Sequence, residues 1–296
     1  MKAKKLLVFA LFAFLPMVVV GIVMHYFGGS AINDETASVD MAAAIKGFVL
    51  SAGSMLIPLL AVVFTQLIFK DPVLQNVGLS FKINKWWWIG WILIPVIAFA
   101  ILGVSLLMPG EQWMGDSEGI KAATSQMPGV GVWGYILITV LSGMIAGITI
   151  NAIFALGEEV AWRGFLMKEL EGKPFLAVAL GTGAFWGFWH SPLILNGHNY
   201  PQHPVLGIFM MIVLCILMTP VLMYFRKKSG SVIVPAIMHG TINAVIGITN
   251  ILVAPSNDLL IGGPGLAGFI VFLLVDVCLF LYDRYISKEN LMTAKA

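Results

Sequence analysis

The stretch "FALGEEVAWRGFLMKEL", residues 154–170, decides how the chain is read. Two adjacent carboxylates, Glu158 and Glu159, and the guanidinium of Arg163 close an apolar run that begins near residue 131. An ionised side chain in hydrocarbon is costly and normally faces a protein-lined cavity or a partner. The surroundings of these three charges therefore bear on both the fold class and the place where chemistry can occur.

Those surroundings are a membrane. Only 11% of the 296 residues are charged, against roughly 25% in soluble domains. Apolar residues make up 59% and the mean hydropathy is +0.94, more apolar surface than a water-soluble fold hides. The expectation is an all-α, polytopic membrane protein. About eight segments reach the roughly 20 residues a crossing needs: 6–27, 43–68, 87–108, 131–156, 175–195, 204–225, 231–254 and 261–282. The first follows Lys2, Lys4 and Lys5 but is too long for a signal core, so it reads as a retained helix. The chain divides into amino-terminal helices over 1–130, a core over 131–255 that carries the polar residues, and a last helix with its tail over 256–296.

Basic residues mark the sides. With the amino terminus inside, 15 of the 17 lysines and arginines fall on the inner side, all but Lys46 and Lys121. This is the positive-inside pattern and predicts that both termini are cytoplasmic. The net charge of +2 thus reflects topology, and no nucleic-acid partner is expected. Cys215 and Cys278 sit in apolar runs and suggest neither a disulfide framework nor a cysteine metal site.

Depth gathers the polar groups. The helix from residue 131 to Leu170 is too long to stand upright and is expected to tilt or break near Gly143 or Gly147. Gly172 and Pro174 then supply the stop and restart. At 1.5 Å per residue, Glu158 lies roughly 18 Å and His190 roughly 20 Å from the inner surface, with His239 and Asn243 at roughly 12 and 18 Å. Three helices thus bring ionisable or amide groups to similar depth. Glu159 and Arg163 are spaced to pair on one face, as are His239 and Asn243, while Glu158 points about 100° away from Glu159. Trp186 lies one turn before His190 as a wall. Gly183 and Gly187 allow a close helix approach.

These parts suit water activation. Glu158 would be the general base, His190 would orient the water, and His239 with Asn243 would face the oxyanion of a peptide carbonyl. Glu159 and Arg163 would be structural. The same atoms allow a zinc site on Glu158, His190 and His239. A metal-free reading is preferred, because Asn243 is a poor zinc ligand and a good oxyanion donor. Elsewhere, His198 and His203 read as a solvated outer loop, and Lys46 as a snorkelling residue. The tryptophans at 86–88 with Trp91 read as an interfacial belt, and Asp276 as a packing or cavity residue.

The motif set resembles the CPBP family of intramembrane proteases, which contains the CAAX endopeptidases and bacterial Abi-type proteins. The E-E-x-x-x-R motif is similar to Glu158, Glu159 and Arg163. F-x-x-x-H is similar to Trp186 and His190, with tryptophan in the phenylalanine place, and the last histidine motif to His239 and Asn243. The resemblance covers about residues 140–250 and marks 131–255 as the catalytic core. It implies a polar cavity open to the cytosol, catalysis by Glu158 and both histidines, and a glutamate mechanism in preference to a metalloprotease one. No cofactor is implied, with zinc the alternative. It also implies a membrane-associated, lipidated or peptide substrate; the few lysine-rich loops and the lack of organelle signals point to a bacterial plasma membrane. Two other readings stay open: a non-proteolytic immunity or scaffold protein of the same family, and a transporter using Glu158 as a proton relay.

Overall fold

The structure is a computed structural model and describes residues 2–27, 49–115, 117–125, 127, 129–253 and 257–295. Lys46 lies outside them. Among the described residues there are helices and no strands, with two isolated bridges, Trp113 to Val253 and Pro174 to Lys295.

The principal helices are α1 (Lys2–Phe27), α2 (Ile57–Ile68), α3 (Lys85–Leu106), α4 (Val132–Ile148), α5 (Ile150–Glu159), α6 (Phe175–Trp189), α7 (Pro204–Ser229), α8 (Ile233–Val245) and α9 (Leu266–Leu281). Six helical stretches are long and apolar enough to cross a membrane, and the bent pair α4 and α5 makes a seventh. The eighth expected crossing, 175–195, falls short of that length. α6 ends after 15 residues at Trp189, and a separate turn, Ser191–Ile194, follows it. Pro192 fits the stop, because it has no N–H to donate to Phe188 O, four residues back, and its ring crowds that carbonyl. The expected break in the 131–170 helix falls at Thr149, where the chain bends by 50°.

The helices run between two distinct ends. One end is basic: Lys5 pairs with Asp71 at 2.5 Å and also with Glu169, Lys228 pairs with Glu289, and Phe175 N donates to Ala294 O at 2.9 Å. Asn84 caps α3 by accepting from Trp86 N at 3.0 Å, and it donates to Ser229 O at 2.9 Å. At the far end, Asn196 donates to Gly21 O at 3.0 Å, Tyr200 Oη to Pro264 O at 2.8 Å, and Met114 N to Leu252 O at 2.8 Å. Of the basic residues, 14 of 17 lie at the first end. Arg163 does not join them, because it is buried inside the bundle at 1% exposure.

α8 packs against α3, α4, α5 and α7 and forms the centre of the bundle. α6 and α7 approach each other closely at two glycines. A Cβ on Gly183 would meet Cys215 O at 2.8 Å, and one on Gly187 would meet Met211 O at 2.7 Å. The tryptophan cluster is not a uniform belt. Trp88 is exposed, whereas Trp86 packs on Phe225 at 5.8 Å and Trp91 Nε1 donates to Met144 O at 3.3 Å.

Gly187→Leu should cost about 1–3 kcal/mol by overpacking against the α7 backbone. Gly181→Ala, where a Cβ meets nothing within 4 Å, should leave stability unchanged or raised. Unfolding of the purified protein in detergent, followed by circular dichroism, measures both.

Candidate active site

A cavity of about 330 Å³ lies among α5, α6, α7 and α8, with the start of the Val49–Ile68 stretch on one side. Glu158, Trp186, His190, His239 and Asn243 all line it. Residues taken from three separate motifs therefore meet at one place. Glu159 and Arg163 do not line it and sit behind its wall.

Glu158 is 1% exposed and held by one oxygen. Its Oε2 accepts from Trp186 Nε1 at 2.5 Å and from Trp162 Nε1 at 3.2 Å. Among the described residues none donates to Oε1, the atom left for a water or substrate. Trp186 is thus more than an aromatic wall. Phenylalanine, usual at this motif position, has no N–H to give a carboxylate.

Behind this wall Glu159 and Arg163 form a buried ion pair at 3.0 Å. Glu159 Oε1 also accepts from His239 Nδ1 at 2.9 Å, and Arg163 Nη2 donates to Thr219 Oγ1 at 3.2 Å. The guanidinium carbon lies 4.2 Å from the Trp186 ring centre, a cation–π contact in a dry environment. Arg163 therefore supports both carboxylates' partners: His239 through Glu159, and Trp186 through its ring.

The histidine tautomers follow from their acceptors. A carboxylate or carbonyl oxygen only accepts, so each Nδ1 must carry the proton. His239 gives it to Glu159, and His190 gives it to Trp186 O at 2.9 Å. Nε2 is then the available nitrogen of both rings. His190 is placed as the C-cap of α6, where the helix stops before Pro192.

The backbone after Glu159 widens into a π-helix over Val160–Leu166, with every residue buried. Such segments recur at functional sites. Both side-chain pairs that define the site, Glu158 with Trp162 and Glu159 with Arg163, bridge from the α-helix into it.

Sequence reading missed several members. Trp162 stands four residues after Glu158, a helical neighbour spacing that could have flagged it. Thr219 had no such signal. His198, expected in a solvated loop, lines the cavity, and burial pushes its pKa down, so it faces the cavity neutral. His203 pairs with Asp258 at 2.6 Å at the loop's edge. Asp276 does not line the cavity, and its buried Oδ1 has no hydrogen-bond partner among the described residues.

Comparison with known proteins agrees with the motif geometry. Residues 140–245 match the family model described as type II CAAX prenyl endopeptidase Rce1-like. This segment holds both glutamates, His190, His239 and Asn243. The match covers about a third of the chain, and this segment is similar to that family. The chain is also similar to CAAX prenyl protease 2 of Methanococcus maripaludis, 31% identical over 144 residues, which are 45% of this chain and 48% of that protein. The chain thus aligns with about half the length of that relative. The family segment ends within α8, so α1 to α3 and α9 lie outside it.

Arg163→Met should destabilise the fold by about 3–5 kcal/mol, because it leaves the Glu159 charge buried and unpaired. Adding Glu159→Gln should recover part of that loss, so the two effects should be clearly non-additive. Thermal unfolding of the single and double variants in one detergent reads the coupling.

Proposed function

We propose that the protein is an intramembrane endopeptidase in which Glu158 activates the attacking water. One observation carries this reading: Glu158 presents a free Oε1 to a cavity that both histidines and Asn243 also line. A carboxylate with one oxygen fixed by two indole donors and the other open to a cavity has the form of a positioned general base.

In this reading water sits between Glu158 Oε1 and His190 Nε2. Glu158 takes its proton as the oxygen attacks the peptide carbonyl, and a tetrahedral oxyanion forms. Asn243 donates its amide N–H to that oxyanion. His239, its Nδ1 spent on Glu159, turns Nε2 towards the same reacting groups. On collapse the C–N bond breaks, and the leaving amine takes the proton held by Glu158. The apolar lining by Met211, Leu214, Met218, Ile242 and Ile246 suits an apolar side chain or lipid group beside the cut bond. This fits the prenyl substrates named for the family and a membrane-tethered substrate for this chain.

A zinc-dependent form of the same protease is the second reading. In its favour, both rings spend Nδ1 on a fixed acceptor and keep Nε2, as metal-binding histidines do. In favour of the first, no group of three His, Cys, Asp or Glu side chains among the described residues is placed to hold a metal ion.

Purified protein is expected to cleave membrane-tethered peptides, lipid-modified or not, in a mixed-sequence library. Glu158→Gln should lower the rate by at least 10²-fold and Asn243→Ala by roughly 10²-fold. A chelator should leave the rate unchanged; loss with chelator would establish the zinc form. Cleavage unaffected by Glu158→Gln would sink the catalytic role of this residue. A chain that cleaves no library member would instead fit the scaffold reading.

A further inference from the structure

The cavity holds a third imidazole, His198, which the water-activating set leaves unused. His190, His203 and His239 each commit Nδ1 to an oxygen, at 2.9, 2.6 and 2.9 Å. No hydrogen bond joins the His198 ring to another described residue, so both its nitrogens are left for an occupant of the cavity. His198 lies close enough to His190 for each ring to feel the other's charge.

The loop that carries His198 is fixed at both ends. Before it, Gly197 N donates to Ile194 O at 2.8 Å, and Asn196 Nδ2 donates to Pro192 O at 2.8 Å and Gly21 O at 3.0 Å. After it, Tyr200 is fully buried and its Oη donates to Pro264 O at 2.8 Å. The same ring packs on α7, where a Cβ on Gly207 would meet it at 2.5 Å. Asp258 then accepts from Gln202 N at 2.7 Å and from His203 Nδ1 at 2.6 Å, one oxygen each. The two neighbours of His198, Gly197 and Asn199, have φ of 86° and 62°. Such left-handed backbone persists where the surroundings over-determine it. Here they present one imidazole to the cavity.

Burial pushes the His198 pKa down, and a neutral imidazole offers one N–H donor and one acceptor. A peptide unit presents the complementary pair, a C=O and an N–H. The walls formed by Met211, Leu214, Met218, Ile242 and Ile246 can take side chains or lipid, but their side chains offer a main chain no N–H or oxygen. Because the loop is ordered before the substrate arrives, a contact at His198 costs little further ordering.

We infer that His198 is a substrate-binding residue, which hydrogen-bonds a backbone peptide group of the substrate beside the bond that Glu158 addresses. Which bond is cut rests on the protease reading; the peptide contact does not. Such a contact is shared by substrate and transition state, so its loss raises KM and leaves kcat unchanged.

The test measures binding to the full chain carrying Glu158→Gln, in nanodiscs. The probe is a fluorescent, lipid-anchored peptide picked from the mixed-sequence library for binding, not for cleavage. His198→Ala is expected to weaken binding about fivefold, the worth of one neutral hydrogen bond. His198→Gln, which keeps a donor and an acceptor, should restore most of the affinity. His198→Phe, which keeps only ring volume, should not. Unchanged affinity in His198→Ala would overturn the inference, and so would recovery by Phe without recovery by Gln, the pattern of a packing role. Thermal unfolding shows which variants are folded; if His198→Ala is not, the Gln and Phe variants alone decide between the two roles. In a chain that cleaves, His198→Ala should raise KM about fivefold at constant kcat, and a fall in kcat at constant KM would overturn the inference. Peptides that bind and are never cut by the unsubstituted chain sink the protease reading alone. A library from which nothing binds overturns the contact at His198.

Discussion

The buried pair between Glu159 and Arg163 is the constraint on which the rest of the site depends. Two ions withdrawn from water do not stabilise a fold by themselves; their attraction mainly offsets desolvation. What the pair provides is position. Glu159 orients one histidine, and Arg163 holds a hydroxyl on α7 and the face of an indole on α6. Four helices are thereby referenced to one charge pair, and the Glu158 carboxylate needs no ion of its own. Neutral N–H donors fix it instead.

This division of labour between adjacent glutamates follows from helix geometry. Neighbours on a helix point about 100° apart, so one can face protein while the other faces a cavity. The sequence showed that much, and the spacing from Glu159 to Arg163 showed the pairing. It also gave the helical class, the stop at Gly172 and Pro174, and the tight α6–α7 approach at Gly183 and Gly187. Each of these is a local rule acting within a few residues.

What was not legible depends on contacts across the bundle or on small departures from regular geometry. Nothing local to Thr219 says that a guanidinium from another helix will reach it. A change of helix width at Val160 leaves no mark in hydropathy. The short α6 was taken for a full crossing because apolar composition continues past His190, although Pro192 carried the contrary signal. The reach of His198 into the cavity depends on how the loop after α6 folds back, which periodicity does not address.

The π-helix can also be viewed as one residue of slack wound into a membrane crossing. A π turn holds more residues per turn than an α turn, so the chain before it and the chain after it keep separate angular registers. The motif glutamates are set by the helix that precedes the widening, and the surface anchor of Glu169 on Lys5 is set by the chain that follows it. Tension or insertion at the anchored end can then be absorbed in the widened turns, and the carboxylate keeps its aim.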